Sequence, residues 1–395
     1  MQTEVREKLW NASYVKLWSA NFMLFFSFML LTPLLPLYLS ETFQADKETI
    51  GIVLSGYTLT ALVMRALSGY LVDTFPRRVV LLIGYFVFVL FFAGYLAAGS
   101  LLVFAVVRTL HGAPFGATTI ANSTAAIDVL PSSRRTEGIG YYGLSNNVAT
   151  AIGPTVALAI YGAVHSYRLL FALSLLFSAI GCWIDWTLRL PARPAVRGKQ
   201  PLSLDRFFLL KGWSQGLSMV CYGFSYGVVA TYIAIYGKEE LGITGGTGLF
   251  FMLLAIGLML SRLTGSRTLR QGRIVHNAVL GMLVSVGGYG LFAALHNLWG
   301  YYGAALIIGL GNGHMFPAFQ TMFINLAGND RRGTANSTLY VSWDVGIGIG
   351  TFAGGSVAEY FGFHAAFWVA WFVNVLGVLM FFGHGRSSFL RNRLR

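Results

Sequence analysis

Charge is the first shortage. Asp, Glu, Lys and Arg make up 11% of the 395 residues, against about 25% in a soluble globular chain. That polar inventory is too thin to coat a water-soluble globule, while 55% of the residues are hydrophobic and the mean hydropathy is +0.63. Cysteine is nearly absent. Cys182 and Cys221 lie inside apolar runs without CxxC spacing, which reads as two buried thiols rather than a disulfide or a metal centre. No low-complexity segment and no loop long enough to bury a core of its own is present. The runs Gly346-x-Gly348-x-Gly350 and Gly309-x-Gly311-x-Gly313 lack a preceding strand and a following Lys-Ser/Thr, so they read as close helix packing and no ATP site is expected.

Lipid is the solvent left for such a chain. A bilayer span needs roughly 20 mostly apolar residues, and the length accommodates close to a dozen. The apolar runs predict spans near 17–40, 50–71, 78–98, 100–126, 138–163, 167–190, 208–236, 247–266, 274–294, 297–326, 334–360 and 364–384. The first run is too long for a signal-peptide core and reads as a retained helix. Helices are expected throughout, because only they satisfy backbone polar groups within one segment. The 47 glycines suit close helix approach in a membrane.

The net charge of +13 falls in short tracts between apolar runs rather than on one soluble face, so nucleic acid is not an expected partner. With both termini inside, the outer loops hold only Lys47, Arg168 and Lys238, and Arg108 lies within a span. Every other Lys and Arg of the 28 falls in cytoplasmic segments or their edges, the positive-inside pattern. A Pro-, Arg- and Lys-rich connection at 191–207 separates two halves of six spans, 1–190 and 208–395. Matching offsets, Gly69 to Arg77 against Gly265 to Arg273 and Arg135 to Gly153 against Arg332 to Gly350, suggest that the halves are copies. Parallel repeats of this kind build a site near the bilayer midplane.

Four stretches carry a resemblance that covers essentially the whole chain. Gly69-Tyr-Leu71-Val-Asp73-Thr74-Phe-Pro76-Arg77-Arg78 is similar to the loop G-x-L-x-D-R-x-G-R-R, departing at Thr74 and Pro76. Arg108-Thr-Leu-His111-Gly112 is similar to R-x-x-Q-G with His for Gln. Gly153-Pro154 resembles an antiporter helix-kink motif, without the glycine expected just after it. Span one ends Pro33-Leu-Leu-Pro36-Leu-Tyr38. Together these resemble the major facilitator superfamily, and within it the drug and metabolite exporters driven by protons. The resemblance implies an all-α membrane protein with twelve transmembrane helices in two pseudo-symmetric six-helix bundles.

It also implies roles. Arg108, costly if alone in lipid, is expected to face the cavity and to control protonation of an acid, or else to pin neighbouring carbonyls. Asp344, the most buried-looking acid by its place in span eleven, is the leading proton carrier, with a packing hydrogen bond as the other reading. Gly69, Asp73, Arg77, Arg78 and Asp128 form an expected cytoplasmic gate, in which Asp73 caps the start of span eleven and Arg77 bridges to Asp128. Leu269 stands where the second half would need its own Asp73, so the latch is one-sided. His111 and His314 fall in roughly corresponding places of the two halves and serve as proton relays, ligand contacts or plain packing. Asp185 and Arg189 read as an i, i+4 snorkelling pair. Asn21, Tyr57, Tyr141, Asn146, Asn147, Tyr222, Tyr226 and Gln320 are candidates for the cavity wall, suited to an amphipathic organic ligand.

The expected function is proton-coupled efflux of a small organic compound by alternating access, in the inner (cytoplasmic) membrane with both termini cytoplasmic. No cofactor beyond the proton gradient is expected, nor any metal, and the chain is expected to act as a monomer. A proton symporter or uniporter importing a nutrient is the alternative within the class. An enzyme acting on lipid-linked substrates would need a cluster of carboxylates, histidines or a nucleophile at one membrane face; the sequence offers none, so no enzymatic activity is expected.

Overall fold

The computed structural model describes residues 8–45, 47–190, 204–243 and 248–394. Most of the expected 191–207 linker, Asp46, and the side chains of Lys47, Glu48 and Leu269 lie outside the described residues. The described elements are all helical. The main helices are α1 (Ala12–Met29), α2 (Leu35–Phe43), α3 (Lys47–Thr74), α4 (Arg77–Ala97), α5 (Leu101–Val129), α6 (Arg135–Val164) and α7 (Tyr167–Trp186). They continue with α8 (Trp213–Glu239), α9 (Gly248–Arg270), α10 (Ile274–Ala294), α11 (Leu298–Leu326) and α12 (Arg332–Met380).

Side-chain caps start several rods. Asn11, Ser100, Ser166 and Asn297 each accept from the backbone N–H three residues on, which satisfies one of the amides that a helix start leaves open. Two interruptions adjust the count of spans. Pro33 between α1 and α2, and Pro36 in the first turn of α2, withhold backbone donors where the rod breaks, so α1 and α2 make one broken span. Gly362 sits at φ 84 inside α12, a left-handed backbone that glycine adopts without a Cβ clash. It divides α12 where the sequence reading separates spans eleven and twelve. Twelve rods result. Eight helices among the described residues are, by length and apolarity alone, able to cross a membrane.

The outer surface is apolar where a soluble protein would be polar. On α4, Ile83, Phe86 and Leu90 all face outward, and on α12 so do Phe372, Leu376 and Leu379. Contiguous exposed stripes of this kind need an apolar surrounding, which bilayer lipid supplies.

The chain divides into two compact units, Met1–Gly138 with Tyr142–Phe207, and Ile139–Tyr141 with Phe208–Arg395. An aromatic cluster including Tyr57, Tyr85, Phe88, Phe92, Tyr95 and Phe115 fills the core of the first unit. Phe224, Tyr236, Phe250, Phe292, Tyr301 and Phe367 do the same in the second. Some local features recur in the two units. Helices α5 and α11 are both 29 residues long, and each starts from a side-chain cap. A three-residue 3₁₀ turn, Ser132–Arg134 or Asn329–Arg331, leads into α6 or α12.

Glycine sets how closely α8 and α12 pack. A Cβ on Gly346 would fall on the Val220 carbonyl oxygen and the Gly223 Cα, and one on Gly350 would fall on the Phe224 backbone. From the other side, a Cβ on Gly223 or Gly227 would meet the carbonyls of Trp343 or Ile347. Backbones this close gain dispersion and Cα–H···O contacts, the main attraction left between helices when lipid removes the hydrophobic one.

Candidate functional site

The polar core of the first unit is built on α5. Arg108 is buried, with its guanidinium carbon 4.1 Å from the centre of the Tyr57 ring on α3 and 5.4 Å from that of Phe28 on α1. Its Nη1 donates to the Tyr95 hydroxyl on α4 at 3.4 Å, and Tyr95 lies 2.8 Å from His111 Nδ1, one turn further along α5. When the Tyr95 hydroxyl accepts from Arg108 and donates to His111 Nδ1, the neutral ring carries its proton on Nε2. His111 is fully buried among the rings of Phe88, Phe91 and Phe92. Arg108 makes no ion pair among the described residues. Aromatic faces and one hydroxyl hold it instead, and a desolvated cation–π contact is worth about 2 kcal/mol or more.

The structure thus brings Arg108, His111 and Tyr57 together through Tyr95, a residue the sequence reading did not single out. Asn21 donates to Ser145 Oγ at 2.6 Å, tying α1 to α6, and Tyr141, Asn146 and Asn147 are half-buried nearby in sequence on α6. Gly153 and Pro154 lie within an unbroken α6, with Gly153 against Met29 of α1.

Where α3 and α4 meet, Arg77 holds two carboxylates. It pairs with Asp128 at the end of α5 and reaches Asp73 Oδ1 at 3.4 Å, with all three side chains largely buried. Gly69 is buried one turn before Asp73. Arg78 points elsewhere, donating to the Trp186 carbonyl at the end of α7 at 2.9 Å.

In the second unit, Gln320 donates to Asn336 at 2.7 Å, and His314 Nε2 lies 2.9 Å from the Thr264 hydroxyl of α9. Tyr222 is buried, and Tyr226 packs on Trp343, with ring centres 5.5 Å apart. Two expectations change here. His111 is the eleventh residue of α5 and His314 the seventeenth of α11, so with equal helix lengths they do not occupy corresponding places. Asp344 is half-buried, not the deepest acid, because the buried face of α12 runs through Leu339, Gly346, Gly350 and Gly354.

The deepest acid is Asp185, with no exposed surface. Its Oδ2 accepts from Asn122 Nδ2 at 3.1 Å, and Tyr142 donates to Asn122 Oδ1 at 2.9 Å. The expected pairing with Arg189 is absent. α7 ends at Trp186, so Arg189 leaves the helical face that the i, i+4 reading assumed and is exposed. The face itself was legible, since Ser174, Ser178, Gly181 and Asp185 recur at helical spacing and all are buried.

A second polar cluster lies at one end of the second unit. Glu240, which caps α8, is 2.9 Å from His364 Nε2, and the ring centres of His296 and His364 are 3.5 Å apart. No group of three His, Cys, Asp or Glu side chains among the described residues is arranged to hold a metal ion. Burial and the neighbouring His364 hold His296 below the usual histidine range, outweighing the attraction of Glu240. A base whose folded pKa is lowered contributes stability above its unfolded pKa, about 6.5, and loses it as the pH falls below that value. We expect His296→Asn to flatten the decline of the thermal midpoint between about pH 6.5 and 5. Equal slopes in variant and parent would remove His296 from this account.

The family model described as Major Facilitator Superfamily matches residues 17–337 and 278–389. The chain is 24% identical over 386 residues to the staphylopine export protein of Staphylococcus aureus, covering 93% of each chain. It is 21% identical over 379 residues to the quinolone resistance protein NorA of the same species, covering 91% of this chain and 93% of the relative. Among solved structures it superposes on the human organic anion transporter MFSD10 with a TM-score of 0.79 at 16% identity, over 93% of this chain and 98% of that one. Apolar rods with lipid-type surfaces and a family match along nearly the whole length agree: the chain is a multi-pass membrane transporter and belongs to the Major Facilitator Superfamily.

Proposed function

We propose that the protein exports a small amphipathic organic molecule in exchange for protons. The observation that carries this reading is the buried chain Arg108–Tyr95–His111, a cation without a carboxylate partner among the described residues, wired to a titratable ring. It sits where the sequence resembles proton-coupled exporters. Two relatives whose names record export and drug resistance support the direction.

In the proposed cycle the proton gradient is the energy source, and no cofactor, metal, ATP or nucleic acid takes part. Asp344 carries the proton. Arg108 and His111 bias its uptake and release. Tyr57, Tyr141, Asn21, Asn146 and Asn147 of the first half, with Tyr222, Tyr226, His314 and Gln320 of the second, contact substrate. Arg77 with Asp73 and Asp128 latches the cytoplasmic side. Two partly desolvated carboxylates held by one arginine keep one arrangement and release it together, which suits a gate. The protein acts as a monomer in the cytoplasmic membrane, with both termini in the cytoplasm.

The test is uptake of amphipathic dyes, antibiotics and metal-chelating metabolites into inside-out vesicles under an imposed proton gradient. Uptake that collapses in Asp344→Asn is the expected result. Undiminished uptake in that variant would return Asp344 to a packing role. Accumulation of nutrients in right-side-out vesicles alone would reverse the direction.

A further inference from the structure

The Asp185 carboxyl plays no part in the cycle above, yet it is the most thoroughly desolvated acid among the described residues. One neutral donor, Asn122 Nδ2, reaches Oδ2, and Oδ1 has no hydrogen-bond partner. The ionisable and cationic groups around it are all engaged otherwise or too far along the chain. Tyr85 of α4 donates its hydroxyl to the Ala20 carbonyl at 2.8 Å. Lys16 of α1 donates to the Thr187 carbonyl at 3.1 Å, and Arg78 of α4 to the Trp186 carbonyl. Cys182 lies one turn back on α7 itself and is half-buried, while Arg189 is exposed beyond the helix end. From α5 comes Asn122, and from α6 Tyr142, which touches Asn122. An isolated ionised carboxylate cannot be held in such surroundings at a tolerable cost; a group so placed takes up a proton.

We propose that Asp185 is a proton-binding site of the first unit and that Asn122 is the swivel that reports its state to α6. Amide oxygen and nitrogen occupy equivalent positions, so the observed heavy-atom geometry fits two hydrogen-bond patterns. With the carboxylate ionised, Asn122 donates to Asp185 and accepts from Tyr142. With a proton on Oδ2, Asp185 donates to the Asn122 oxygen, and the Asn122 nitrogen donates to the Tyr142 oxygen. In the second pattern the Tyr142 hydroxyl hydrogen is released from Asn122, and Asp185 Oδ1 is a neutral carbonyl oxygen. In the first it is a bare charged one, so the packed arrangement selects the protonated acid. The proton comes from water and returns to it. The carboxyl lies within one helical turn of the α7 end, where Lys16 and Arg78 are bound, so the route to the membrane surface is short. Only its consequence for transport rests on the proton-coupled reading above; the site itself does not.

Infrared difference spectra of the full-length protein in lipid nanodiscs, without substrate or gradient, test the site. The expected result is a carboxylic-acid carbonyl band, above the amide region, at pH 7. Asp185→Asn, nearly isosteric with the protonated acid, should lose that band while keeping the thermal midpoint of the parent. Asn122→Ala should keep the band and shift it upward as the hydrogen bond is lost, and Asp344→Asn should leave it in place. No such band in the wild type, or an unchanged band in Asp185→Asn, overturns the proposal. Should Asp185→Asn fail to fold, an Asn122→Ala band that does not move overturns it equally. The proton-coupled export reading is judged by the vesicle assay, so either can fail while the other stands.

Discussion

Gly346→Ala lowers the thermal midpoint and the yield of monodisperse protein, while Gly348→Ala, two residues away, raises the midpoint slightly. The same methyl group is added in both. At Gly346 it falls on the Val220 carbonyl oxygen and the Gly223 Cα. Both are backbone atoms, so no rotamer change can make room and α8 and α12 must part. Overpacking of a well-packed core costs about 1–3 kcal/mol, occasionally more, and a backbone-on-backbone clash belongs at the upper end. Against a net stability of about 5–15 kcal/mol, that loss is large. At Gly348 a Cβ meets nothing within 4 Å, and the residue faces outward. There alanine only removes the entropy penalty of glycine in a helix, a gain of about 0.5–1 kcal/mol. Thermal unfolding of the two purified variants beside the parent decides the matter. Equal shifts of the same sign would mean that the α8–α12 approach does not limit stability.

These two glycines also mark how far the sequence could be read. Gly346-x-Gly348-x-Gly350 announced close packing, and helical periodicity already puts 346 and 350 on one face and 348 on the other. The fold was legible for a similar reason: span length, glycine spacing and the basic tracts each report a local constraint imposed by lipid. The polar cores were less legible, because they depend on which faces of separate helices meet. Tyr95 belongs to a stripe with Tyr85, Phe88 and Phe92, which reads as aromatic packing until α5 places Arg108 and His111 against it. Asn122 and Tyr142 carry no spacing signal toward Asp185. An i, i+4 acid–base pair is a local pattern, and Arg189 falls past the end of α7, so the pair expected for Asp185 does not form. Distance along a span gives depth in the bilayer but not which side of the helix is covered, so the position of Asp344 overstates its burial.

Arg108→Leu should sharply reduce gradient-driven transport without destabilising the protein, and the sign of the stability change is the informative part. A buried cation without a counter-ion costs more than its contacts return. A leucine of similar reach keeps the packing on Phe28 and Tyr57 and strands no polar group, since the Tyr95 hydroxyl still donates to His111 Nδ1. The thermal midpoint should therefore hold or rise by a few degrees, while uptake into inside-out vesicles falls at least tenfold, roughly the 1.5–3 kcal/mol carried by a hydrogen bond to a charged group. Arg108→Lys sharpens the case. It keeps the charge but replaces a planar fork, able to stack on Tyr57 and donate to Tyr95 at once, with a point charge on a flexible stem. Transport in the lysine variant should stay well below that of the parent. If Arg108 were a structural pin, Arg108→Leu would lower the midpoint, and transport would fall only in proportion to the folded protein left. A midpoint that holds while transport is lost would support the proposed role of the Arg108 charge in proton coupling.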